Sequence, residues 1–194
     1  MSQPVSGLAG VVLAGGESRR MGRDKAELEV DGVRLIVRQL DVLRACGAAP
    51  LVVSLGSAAR TVLPNVASVP DRYPNAGPLA GIHAAFEALH TPYLAVLAVD
   101  MPRIEAGWFT WLHGLSQPGT GVVAQHASGQ FEPLAAIYPR EALAEMEARL
   151  RRGELPMQSL VAGLINAGLL RVAPLPEDER WRTTNWNSPE DVGR

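Results

Sequence analysis

A three-layer α/β/α fold with a mainly parallel sheet is what this sequence predicts, and three observations predict it. Short, wholly apolar runs that read as strands buried on both faces alternate with segments of helical period, the pattern of a parallel sheet covered by helices on each side. The two strongest runs stop abruptly, one at Gly15-Gly16 and the other at Asp100-Met-Pro102. In the C-terminal half, two strand-like runs face each other across a short polar turn, which predicts an antiparallel hairpin added to the sheet. The 194 residues suit one domain, 1–194, that buries about 70% of its unfolded surface.

The elements follow in order. Leu8-Ala-Gly-Val-Val-Leu-Ala14 is the first buried strand, and a polar, glycine-containing loop runs on to about Asp31. Over 34–46, Leu35, Ile36, Leu40, Val42 and Leu43 recur at helical spacing, and Gly47 closes that helix. Leu51–Ser54 reads as a second strand and 66–69 as a short third one. A turn-rich stretch, Pro70-Asp-Arg-Tyr-Pro-Asn-Ala-Gly77, leads into an alanine-rich helix over 78–89 whose Pro78 suits a first turn. Residues 93–99 form another doubly buried strand, with a helix expected after Asp100. The hairpin pairs 121–125 with 133–138 across His126-Ala-Ser-Gly-Gln130. Helices are expected over 140–152 and 157–167, a last strand over 169–172, an irregular charged stretch over 174–182, and a short capped helix from Ser188-Pro-Glu-Asp191.

Composition excludes several functions. Twenty acidic and 18 basic side chains give a net charge of −2, and the arginines are scattered, so no phosphate-backbone footprint for nucleic acid is present. A single cysteine, Cys46, rules out an intrachain disulfide or a cysteine-rich zinc site. No apolar run approaches the ~20 residues of a membrane span. Four cations follow the first apolar run and none precedes it, the reverse of a secretory signal. The expectation is a cytoplasmic protein that binds neither membrane nor nucleic acid. Among the basic residues, seventeen are arginine and Lys25 is the lone lysine.

That lysine closes the most informative segment, Leu13-Ala-Gly-Gly-Glu-Ser-Arg-Arg-Met-Gly-Arg-Asp-Lys25. It sits at the carboxyl end of the first strand, where open α/β sheets bind ligands. Gly15 and Gly16 let the backbone approach phosphate oxygens, and Arg19, Arg20, Arg23 and Lys25 supply countercharge. The spacing fits neither a P-loop nor a dinucleotide fingerprint. Asp100 stands where a buried strand emerges, a costly place for a carboxylate unless it is paired or metal-bound; the alternative is an N-cap for the following helix. A turn-forming role is the alternative for Asp71. No Ser-His-Asp or Cys-His set is evident, the four histidines lack ligand-like spacing, and the tryptophans read as packing residues.

The run Leu-Ala-Gly-Gly-x-Ser-x-Arg-Met-Gly-x-Asp-Lys resembles the signature of nucleotidyltransferases with a Rossmann-like fold, in detail that of the molybdenum cofactor guanylyltransferase family. Asp71, Gly77-Pro-Leu-Ala-Gly81, Asp100-Met-Pro102 and Asn185-Trp-Asn187-Ser-Pro-Glu-Asp191 continue the resemblance in the family's order, with Ser54 where the family often has Asn and Ser188 where Thr is usual. The resemblance implies transfer of GMP from GTP to the terminal phosphate of molybdopterin. Positioning and charge neutralisation carry such a reaction, because the nucleophile is already an anion. Lys25 and Arg20 would hold phosphates and Asp100 a Mg²⁺ ion. Leu13, Ala14, Gly15, Gly16, Ser54 and Asp71 would contact GTP, and Gly77, Pro78, Leu79, Gly81, Asn185 and Asn187 would line the molybdopterin side. Residues 1–102 would mainly bind GTP and 103–194 mainly molybdopterin, with molybdopterin-delivering and molybdoenzyme-maturation proteins as partners. Gly15 favours guanine, since the related cytidylyltransferases usually carry alanine there. Cytidylyl transfer, sugar-phosphate nucleotidyl transfer and a non-catalytic GTP-binding or cofactor-carrier module remain open at this point.

Overall fold

The structure, a computed structural model, describes residues 7–15, 28–56, 63 and 65–186. In chain order these give β1 (Leu8–Leu13), β2 (Glu29–Val30), β3 (Val33–Arg34), α1 (Leu35–Ala45), β4 (Leu51–Ser54), β5 (Ala67–Val69), α2 (Pro78–Ala88) and β6 (Tyr93–Ala98). There follow α3 (Ala106–Leu115), β7 (Gly121–Gln125), β8 (Ala135–Pro139), α4 (Leu143–Arg152), α5 (Met157–Asn166) and β9 (Leu170–Pro174). Seven strands form one sheet in the order β5-β4-β1-β6-β8-β7-β9. All neighbours are parallel except β8, which runs antiparallel to both β6 and β7. The expected parallel sheet and its antiparallel addition are both present.

Two cores flank this sheet because successive strand residues point to opposite faces. Leu8 and Val12 of β1, with Ala95 and Leu97 of β6, meet Leu35, Ile36, Leu40 and Leu43 of α1 and Trp108, Phe109 and Leu112 of α3. Ala9, Val11 and Leu13, with Leu94 and Val96, meet Leu79, Ile82 and Phe86 of α2, Met146 of α4 and Leu160 and Leu164 of α5. Continuous apolar runs were needed for strands buried on both sides, and β1 is buried at all six positions.

Three local outcomes differ from the sequence expectation. Within the polar loop, β2 and β3 form a separate antiparallel hairpin, with Asp31 at φ 53° and Gly32 at φ 76°. Left-handed values at both central residues are what a two-residue type I′ connection requires. Strands of two residues show no alternation, so only the Asp-Gly pair signalled them. Residues 177–183, expected to be irregular, form a 3₁₀ segment (Glu177–Thr183). Glu105, with no side-chain cap bond, precedes α3, so Asp100 is not that helix's N-cap. The short helix expected from Ser188 to Asp191 lies outside the described residues.

Candidate active site

The chain leaves β1 for β4 and β5 on one side and returns from β5 through α2 to β6 on the other, so the order reverses around β1. Such a reversal opens a crevice at the carboxyl ends of the strands. Val69, Ser54, Leu13 and Ala98 share one row of the register across β5, β4, β1 and β6. Two residues beyond that row stand Asp71, Gly56, Gly15 and Asp100. The two carboxylates therefore leave the sheet on either side of a pair of glycines. About three strand spacings, ~14 Å, separate the strands that carry them.

The glycines form the floor between them. A Cβ on Gly15 would lie 2.6 Å from Gly56 Cα and 2.7 Å from Leu55 C, so the two strand ends touch backbone to backbone. Sequence reasoning singled out Gly15 for ligand approach; its tighter constraint is this contact. Gly56 was missed, because only the strand register shows that it stands level with Gly15. The backbone beside the floor is already engaged in part. Leu13 C=O accepts from Val99 N–H at 3.0 Å, and Ala14 N–H donates to Ser54 C=O at 2.8 Å. The Ala14 N–H is thus committed to the sheet, whereas the Leu13 carbonyl keeps a second lone pair and Gly15 is exposed.

Ser54 also departs from expectation. Its side chain is buried, and the hydroxyl donates to Asp71 Oδ1 at 3.0 Å. A Cβ on Gly81 would lie 2.5 Å from that hydroxyl and 2.9 Å from Leu13 Cδ2, so Gly81 closes over Ser54. Ser54 thus supports Asp71 instead of lining the crevice, and Gly81 is a packing glycine instead of a wall. Leu79 is likewise fully buried in the core, which removes its side chain from any ligand. Half-buried Asp71 remains within reach of solvent. Burial pushes its carboxyl above the usual carboxylate range, and the Ser54 hydroxyl draws it partly back.

Gly77, exposed and at φ 65°, and half-buried Pro78 open α2 at the same edge of the sheet. A helix N-terminus presents unpaired N–H groups that suit an anion. On the other flank, Trp186 N–H donates to Asp100 C=O at 2.8 Å. That bond brings the exposed Asn185 beside the Asp100 turn. Gly16, Arg20, Lys25 and Asn187, with Arg19 and Arg23, lie outside the described residues.

Further along the same edge, beyond β6, His126 pairs through Nε2 with Glu132 Oε1 and faces Thr183 Oγ1 at 3.4 Å. Sequence reasoning gave this histidine no role. The pair closes the β7–β8 turn, where Gln125 and Phe131 bridge. With Arg182 near Glu105 (3.7 Å), it ties the 3₁₀ segment to the mixed half of the sheet.

Fold and strand-end arrangement are those of a nucleotidyltransferase, and the MobA-like NTP transferase domain model matches residues 10–167. The chain is 54% identical to the "Probable molybdenum cofactor guanylyltransferase" of Opitutus terrae, over all of this chain and 97% of that one. It therefore belongs to the molybdenum cofactor guanylyltransferase family of MobA-like nucleotidyltransferases. The fold matches the crystal structure of molybdopterin-guanine dinucleotide biosynthesis protein A from Archaeoglobus fulgidus, with TM-score 0.74 and 24% identity over 95% of this chain and 94% of that one. It also matches 2-C-methyl-D-erythritol 4-phosphate cytidylyltransferase from Thermus thermophilus, with TM-score 0.68 and 18% identity over 94% of each chain. Among the described residues, no helix is long and apolar enough to cross a membrane.

Proposed function

We propose that the chain transfers GMP from GTP to the terminal phosphate of molybdopterin, forming molybdopterin guanine dinucleotide and releasing pyrophosphate. One observation carries the reading. A glycine floor, Gly15 against Gly56, lies between two carboxylates whose strands stand about 14 Å apart. That spacing suits one nucleotide lying across the floor, its base toward Asp71 and its phosphates toward Asp100. Asp71, fixed by Ser54, accepts from the N–H groups of the base. Exposed Gly15 offers main chain to the same base. Lys25 and Arg20 neutralise phosphate charge, and Gly16 offers a further N–H from that loop.

An oxygen of the acceptor phosphate attacks the α-phosphorus. The bond from that phosphorus to the bridging oxygen breaks, and pyrophosphate departs with the electron pair. Interactions stronger in the transition state than in the ground state drive this step, and Lys25 and Arg20 would supply them. Among the described residues, no three His, Cys, Asp or Glu side chains form a cage for an ion. A single carboxylate at a strand mouth fits Mg²⁺, which binds mainly through phosphates and water with one or two protein carboxylates. Asp100 would hold it, and when bound the ion supplies charge neutralisation at the phosphate oxygens. The acceptor side comprises Gly77, Pro78, Asn185 and Asn187; residues 1–102 mainly serve GTP while adding the α2 entrance to the acceptor side, and 103–194 mainly serve molybdopterin. The reading puts the reaction in the cytoplasm, between proteins that deliver molybdopterin and proteins that mature molybdoenzymes.

Incubating the protein with molybdopterin and either GTP or CTP, and following pyrophosphate, tests this. Release with GTP and formation of the guanine dinucleotide are expected; turnover with CTP alone would overturn the guanylyl reading, and GTP binding without transfer would overturn the catalytic one.

A further inference from the structure

Helix α1 packs on the sheet through Leu35, Ile36, Gln39, Leu40 and Leu43, five buried residues at helical spacing. Four of them are leucine or isoleucine. Gln39 is fully buried among them, and its Oε1 has no hydrogen-bond partner among the described residues. An unsatisfied amide oxygen in a core is unfavourable, and leucine or methionine would pack there without that cost.

The amide nitrogen shows what the glutamine does. Nε2 donates to Met101 C=O at 2.8 Å and lies 3.5 Å from Ala98 C=O. These carbonyls bracket the turn at Asp100. The carbonyl of Asp100 itself accepts from Trp186 N–H at 2.8 Å, and the Trp186 side chain packs against the same core as α1. The main chain at 98, 100 and 101 is therefore gripped from a helix about 60 residues earlier in the chain and from the C-terminal segment. Rotation of the peptides around Asp100 would break these bonds.

We propose that Gln39 is a positioning residue for Asp100: its amide fixes the turn so that the carboxylate projects from β6 toward the nucleotide phosphates and their cation. The inference rests on the assignment of Asp100 as the cation-holding carboxylate. Glutamine suits the task because it reaches a carbonyl from the middle of an apolar helix face while remaining uncharged. The bond to Met101 C=O also satisfies a buried acceptor, so the amide stabilises the turn from beneath without occupying the crevice.

The test measures Mn²⁺ binding to the complex of protein and GTP by electron paramagnetic resonance, with no acceptor present, so that no turnover contributes. Gln39→Met keeps the volume and helix propensity but loses the amide. It is expected to weaken Mn²⁺ binding about tenfold, the usual scale for loss of a group that orients a ligand, while GTP affinity without metal stays within about twofold. Gln39→Asn, one methylene shorter, is expected to fall between wild type and Gln39→Met, and it serves if the methionine variant does not fold. Leu43→Ala controls for stability. Leu43 lies under Gly10, toward the far end of β1 from Gly15, and its variant is expected to melt earlier with Mn²⁺ binding unchanged. Folded Gln39 variants that bind Mn²⁺ as tightly as wild type would overturn the proposal. Asp100→Asn separates the two levels: wild-type Mn²⁺ binding in that variant would overturn the assignment of Asp100 itself.

Discussion

Asp71 and Asp100 leave the sheet two residues beyond the same row, and different bonds fix the chain at each. Asp71 is gripped by its side chain, through the Ser54 hydroxyl, in surroundings that raise its affinity for a proton. The main chain grips Asp100, through Trp186 N–H on its own carbonyl and Gln39 on the carbonyls either side. A carboxylate fixed by its side chain spends one oxygen on the protein and keeps a defined acceptor for a base. Fixing the peptide on both sides sets the direction in which the carboxylate leaves the turn, which suits an ion. On the proposed reading, the anchoring of Asp71 suits recognition and that of Asp100 suits chemistry.

The sharpest way to break this comparison is Asp100→Asn. Transfer at saturating GTP is expected to fall by about 10² to 10³, the scale of losing one transition-state charge interaction. Asp71→Asn should instead raise KM for GTP about tenfold while kcat stays within about threefold, the signature of lost uniform binding. Steady-state kinetics on both variants decide the matter, and identical patterns would erase the division.

Next in size is Gly15→Ala. The added methyl meets the backbone of Gly56 and Leu55, which cannot turn aside as a side chain would. A loss of about 1–3 kcal/mol is expected, seen as a melting temperature lower by about 3–10 °C.

Asp71 also gives a pH signature. Burial raises the Asp71 carboxyl above its ordinary 3.8, so over a pH window the folded chain keeps a proton that the unfolded chain has released. The contribution of Asp71 to stability is therefore greatest at low pH and declines as pH rises from near 3.8 through the raised value. Asp71→Asn should melt above the parent at neutral pH, with the difference vanishing below about pH 4. Ser54→Ala removes the bond that lowers the carboxyl, so the decline should extend to higher pH. Melting curves across pH 3.5–8 check both signs.

The smallest effect belongs to the mixed half of the sheet. Glu132→Gln swaps the carboxylate that faces His126 for a neutral amide that can still hydrogen-bond, and a loss of about 1 kcal/mol is expected. GTP affinity should be untouched, as a urea titration beside a binding curve would show.

Much of this was legible in the residues. The strands β1 and β6 could be read because a strand buried on both faces must be apolar throughout, and Asp100 stood out because that run ends there. Gln39 was legible but unread: it falls four residues after Leu35 and four before Leu43, on the apolar stripe of α1 where a polar residue is out of place. The Asp31-Gly32 hairpin was signalled by its dipeptide alone. The Gly15–Gly56 contact and the burial of Ser54 under Gly81 could not be read, since both depend on which rows of β1, β4 and α2 come level, and a linear chain does not state its register.

The glycine floor has an evolutionary consequence. Where two main chains touch, there is no side chain to lengthen, shorten or recharge, so selection cannot adjust that surface by small steps. While the contact is kept, changes of preference fall to residues with atoms to exchange, such as Asp71 or the entrance to α2. An alanine at Gly15 would require the two strand ends to part, a change of backbone and not of one side chain.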